Sequence, residues 1–136
     1  MRKVLIDTNI YSLAMRGDHS VTRVLQQVDR IGVSAISLGE LLSGFRGGNA
    51  ESRNREELNQ FLDSPRVVIF PVDMETGDFY AEIRNALKAA GTPIPTNDIW
   101  IAATAFQNGY KLFSNDRHFS YVSGLVCIKP DAEGPC

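Results

Sequence analysis

Asp7 closes the apolar run in KVLIDTN, and Asp116 closes a second one in YKLFSND. Val4, Leu5 and Ile6 have the uniform apolarity of a strand buried on both faces, and Leu112 and Phe113 repeat it. Aspartate rarely tolerates burial, so two such endings ask for a reason. Two further acids stand in comparable places: Glu40 soon after VSAI, and Asp98 at the head of NDIWIAATAF. Unit charges ~4 Å apart repel by about 4 kcal/mol at an effective dielectric near 20. Four carboxylates in one cleft would therefore raise some of their own pKa values or recruit a cation. His19 and His118 are the only imidazoles, and Cys127 and Cys136 lack zinc-ligand spacing. The donors are oxygens, which match Mg2+, with Mn2+ as the alternative.

Each acid also has an ordinary structural job. Asp7 can cap a helix starting near Thr8. Glu40 can complete a capping box with Ser37. Asp98 suits the dipole of the helix it opens, and Asp116 can fold an Asx turn. The cation reading requires all four to share one edge of the molecule.

The surrounding pattern supplies that edge. Short apolar runs alternate with longer helical stretches, which predicts an α/β fold, a three-layer α/β/α sandwich around a mostly parallel sheet of roughly five strands. Strands are expected near 3–6, 32–36, 66–70, 111–114 and 124–129. Helices are expected near 8–15, 20–31, 38–46, 53–63, 74–90 and 96–108. Gly32, Gly91 and Gly109 stand where helices should end in a left-handed residue, and RGGNAES reads as a mobile loop. In open parallel sheets functional groups collect beyond the carboxyl ends of the strands, where Asp7, Asp116 and Glu40 would lie. From Asp98 a helix descends roughly 16 Å to Gly109 at 1.5 Å per residue. The strand from Tyr110 to Asn115 climbs back by up to about 20 Å, which returns Asp116 to the level of Asp98.

The totals agree with a single domain over residues 1–130, followed by a frayed tail, 131–136. The chain has 136 residues, 43% hydrophobic and 22% charged, with a net charge of −2. Such a balance argues against a broad basic nucleic-acid surface but leaves room for a local patch. The N-terminal apolar run is too short for a signal peptide, and no segment approaches a membrane span. A cytoplasmic protein with reduced thiols is expected.

VLIDTNI, ISLGELLSG, PTNDIWIAATA and LFSNDRHF occur in the order and approximate spacing of PIN-domain ribonucleases. The chain most resembles the VapC toxins of bacterial and archaeal toxin–antitoxin modules, from about Lys3 to Pro130. The resemblance implies that Asp7, Glu40, Asp98 and Asp116 form an acidic quartet, with Asn9 and Ser114 as polar supports. It also implies a small antitoxin as partner, contact with DNA only through that antitoxin, and a homodimer. The chemistry implied is Mg2+-dependent endonucleolytic hydrolysis of RNA. Asp7 and Asp98 would be direct ligands. Glu40 and Asp116 would complete the shell, hold waters or take a proton.

Flanking cations are harder to assign. Arg46, Arg53, Arg55 and Lys111 read as solvated surface charge, and only Arg117, beside Asp116, is expected to touch substrate phosphates. His118 reads as a turn residue, Phe119 as a core plug. Two other readings use an acid at the end of the first strand with Mg2+. A haloacid-dehalogenase-like phosphatase would want a second aspartate where Asn9 stands. A noncatalytic receiver-like signalling domain would want paired acids near the first strand and a lysine after the last.

Overall fold

The computed structural model describes residues 1–136. Six strands form one sheet: β1 (Lys3–Ile6), β2 (Arg30–Ser34), β3 (Val67–Phe70), β4 (Lys111–Phe113), β5 (Val126–Lys129) and β6 (Ala132–Pro135). Their spatial order is β3-β2-β1-β4-β5-β6. The first five run parallel and β6 is antiparallel to β5. Helices α1 (Thr8–Met15), α2 (His19–Gln27), α3 (Ala35–Gly47), α4 (Glu51–Leu62), α5 (Met74–Ala90) and α6 (Thr96–Asn108) complete the chain with a 3₁₀ turn, Arg117–Tyr121. No helix is long and apolar enough to cross a membrane.

Strand alternation divides the core in two. Leu5, Leu112 and Cys127 face one layer, where they pack with Ile83 and Leu87 of α5 and Ile101 and Ala105 of α6. Val4, Ile6, Val33, Phe113 and Ile128 face the other, with Ile10, Val21, Leu41 and Leu58 from α1 to α4. Burial on both faces explains the unbroken apolarity of VLI and LF. The expected three-layer architecture is present, with one strand more than predicted.

The differences have local causes. The frayed tail is instead β6, whose Glu133 is held by Lys111 and Arg2. DAEGPC has no strand alternation of its own, so edge pairing with β5 imposes the conformation. The same hairpin brings Cys127 and Cys136 together in a disulfide, Cα–Cα 5.0 Å, where reduced thiols were expected. Gly91 and Gly109 do end helices with φ of 71° and 67°, but Gly32 lies inside β2. A Cβ there would come within 2.7 Å of the Phe70 ring. Helix α2 stops early, at Gln27, where the chain turns extended toward β2, and Arg66 from distant sequence donates to the freed Leu25 and Val28 carbonyls. The stretch read as a mobile loop is mostly helical, with only residues 48–50 between α3 and α4.

Candidate active site

Parallel strands β1 and β4 are neighbours with Ile6 opposite Phe113, so the residues that follow them emerge side by side. Asp7 leaves β1 and caps α1, its Oδ1 accepting from the Ile10 N–H at 2.9 Å. Its Oδ2 accepts from the Ser114 hydroxyl at 2.5 Å. Ser114 Oγ in turn accepts from the Asp116 N–H at 3.0 Å. One buried hydroxyl therefore ties the first acid of the chain to the turn that carries the last.

The descending-and-climbing path expected for α6 and β4 is realised. Asp98, in the first turn of α6, stands 3.1 Å from His118 Nδ1 through Oδ2. Asp116 Oδ1 lies 3.2 Å from the same ring nitrogen and also accepts the His118 N–H at 2.9 Å. Ligand atoms of Asp98, Asp116 and His118 all fall within 4.8 Å of one another.

Glu40 arrives from a third segment. The expected Ser37–Glu40 capping box does not form, because Ser34 caps α3 and accepts from the Ser37 N–H at 3.0 Å. The helix starts at Ala35, which leaves Glu40 beyond the first turn with no capping duty. Its Oε1 accepts from the Thr8 hydroxyl at 2.6 Å and its Oε2 from the Asn97 amide at 3.4 Å. Glu40 is thus fastened to the residues after Asp7 and before Asp98.

Electrostatics report the crowding. Burial pushes the Asp7 carboxyl up to about 6, with Asp116 and Asp98 adding to the rise and the bonds from Ser114 and Ile10 opposing it. Asp98 is also raised, first by burial and then by Asp116 and Glu40, while His118 pulls it down. Asp7 and Asp98 each feel other acids of the set.

Two residues differ from expectation. Asn9 is exposed and its side chain bonds none of the four acids; its neighbour Thr8 does the orienting. His118 does make the expected turn contact, yet its ring also bridges Asp98 and Asp116. Thr8 and Asn97 were visible only as neighbours of acids in DTN and TND. Arg117 is exposed beside Asp116 on the wall of a cleft of about 720 Å³. Lys111 instead pairs with Glu133 at the far end of β4, and Phe119 plugs the core as expected.

As a donor set, Asp98 Oδ1 and Asp116 Oδ2 accept no hydrogen bond, and Asp7 lies within electrostatic reach of both. Carboxylate oxygens with spare lone pairs fit a hard divalent ion. The donor chemistry is compatible with such an ion.

A family model described as the PIN domain matches residues 4–125. A protein named Ribonuclease VapC2 from Haemophilus influenzae is 32% identical over 128 residues, covering 92% of this chain and 96% of the relative. One named tRNA(fMet)-specific endonuclease VapC, from Salmonella typhimurium, is 28% identical over the same shares of both chains. Among solved structures, VapBC2 from Rickettsia felis bound to a promoter DNA fragment superposes with a TM-score of 0.85 at 26% identity, covering 93% of this chain and 98% of that one.

Proposed function

From the premise that the chain belongs to the PIN-domain family, we propose that it is a divalent-metal-dependent endoribonuclease and the toxin of a toxin–antitoxin pair. The observation that carries the reading is the cluster of Asp98, Asp116 and His118 beyond the carboxyl end of β4, to which Asp7 is tied through Ser114 and Glu40 through Thr8 and Asn97. Ordinary caps and turns do not require Glu40 to be fastened to the flanks of two other acids. The similarity to proteins named VapC ribonucleases supports RNA as the substrate class.

In this reading Asp7 and Asp98 are direct ligands and Asp116, grouped with Asp98, joins them, with Mg2+ as the expected metal and Mn2+ the alternative. When bound, the ion supplies Lewis-acid activation of the scissile phosphate and of water. Everything else falls to the chain's own groups. Ser114 fixes the rotamer of Asp7 by donating to Oδ2, and Thr8 fixes Glu40 by donating to Oε1. We assign Glu40 Oε2, with only the long contact from Asn97, to accept a proton from the attacking water. His118 Nδ1 bridges Asp98 and Asp116 and holds the two carboxylates in register.

A small antitoxin is the expected partner, with DNA reached through it, as the VapBC complexes among the structural relatives suggest. A homodimer acting in the cytoplasm completes the proposal. The test is incubation of the purified chain with single-stranded RNA and Mg2+, followed on denaturing gels. Internal cleavage by the wild type that vanishes with Asp98→Asn is expected. Intact RNA under all divalent conditions rejects the reading.

A further inference from the structure

We propose that the cleft beside Asp116 is a nucleotide subsite, in which Tyr121 stacks a base while Arg117 and Lys129 hold the phosphates that flank it. The proposal rests on the ribonuclease reading and specifies where its substrate strand leaves the acidic centre.

The 3₁₀ turn after Asp116 sorts its side chains by threes. Phe119 and Val122 face the core and are buried, which anchors the turn. His118 and Tyr121, offset by one position, share a second face, about a third of a turn away, and are exposed. His118 touches Asp98 and Asp116, so Tyr121 sits one 3₁₀ turn from the acids, about 6 Å along the axis. Tyr121 is 54% exposed, although large aromatics normally seek cover, and it makes no hydrogen bond or ring contact. Tyr121 also borders the apolar groove of Phe79 and Phe106, and the part of its ring left exposed beside the acidic centre is a stacking platform, useful to every base because each has a π face.

The charges fit as well. Arg117 and Lys129 line the same cleft, and neither is tied up in an ion pair. Lys129 is brought in by register: β4 and β5 pair with Phe113 opposite Ile128, so the next residue lands beside Ser114. Two unpaired cations on one wall counter the repulsion that the acids exert on a polyanion. The cleft holds about 720 Å³, within the range of pockets that enclose a ligand of nucleotide size. One group opposes binding: Asp131, in the β5–β6 turn, stands on the same rim.

The test is fluorescence anisotropy with a short end-labelled single-stranded RNA, in an Asp98→Asn background so that no strand is consumed. Tyr121→Ala is expected to weaken binding about tenfold or more, and Tyr121→Phe to restore it. Lys129→Ala should weaken binding and reduce the salt dependence by about one phosphate contact. Asp131→Asn should tighten it. Binding by Tyr121→Ala within about twofold of the Asp98→Asn background, or equal loss with Tyr121→Phe, overturns the subsite while RNA cleavage by the wild type leaves the ribonuclease reading standing. A wild-type chain that neither binds nor cleaves RNA removes both.

Discussion

The hydroxyl of Ser114 donates to Asp7 Oδ2 at 2.5 Å, across 107 residues of sequence. Ser114 is buried, and its bond is the strongest of the influences that hold the Asp7 carboxyl down against desolvation. Ser114→Ala should therefore raise the Asp7 pKa further and lower activity by roughly tenfold or more, the usual scale for groups that orient ligands. The acidic limb of the pH–rate profile should move upward. A profile identical to the wild type would show that Ser114 only packs.

Asp7 sets activity against stability. Its folded pKa of about 6 lies above the ordinary carboxylate value of 3.8, so the folded chain favours the protonated form. The stability linked to this group is present at acid pH and is lost as pH rises from about 4 through 6. The metal-free cost at neutral pH is about 3 kcal/mol by proton linkage. Asn keeps the capping acceptor for the Ile10 N–H without the charge. Asp7→Asn should thus abolish RNA cleavage yet raise the unfolding midpoint at pH 8, with the gain disappearing near pH 4. Urea melts at the two pH values check this.

His118 pulls Asp98 down while Asp116 and Glu40 push it up. His118→Gln should leave Asp98 more readily protonated. Activity should then fall at pH 6 by a larger factor than at pH 8, as measured by initial rates across that range. A uniform loss at both pH values would assign the imidazole a different role.

Gly32 is required by contact rather than by conformation. Its Cβ would meet Phe70 at 2.7 Å and Tyr110 at 3.1 Å, two rings that themselves pack edge to face. Gly32→Ala should lower stability by about 1–3 kcal/mol, seen as a lower urea midpoint at unchanged slope. Activity per folded molecule should stay within about twofold.

The carboxyl-end acids were legible because buried parallel strands leave a plain apolar run, and an acid that ends it stands out. Asp7 and Asp116 declare themselves this way. Asp98 followed from matched helix and strand lengths. Glu40 was legible as a residue but not in its surroundings: Ser34 and Ser37 are both acceptable caps, and only the packed helix start decides between them. The His118 ring contact depends on a 3₁₀ turn too short to leave a periodic signal. Arg66 capping α2 and Glu133 holding β6 act across long separations, so nothing local announces them. The hairpin that joins Cys127 to Cys136 was hidden for the same reason, since its second strand borrows its conformation from the edge it covers.

The central claim is that these acids form one divalent-cation centre, and titration with Mn2+ followed by electron paramagnetic resonance tests it most directly. Wild type should bind Mn2+ in competition with Mg2+. Asp98→Asn and Asp116→Asn should each weaken binding by about tenfold or more. Asp29→Asn, at the opposite end of the parallel strands, should bind as wild type does. Equal Mn2+ affinity in the wild type and both active-site variants would contradict the account.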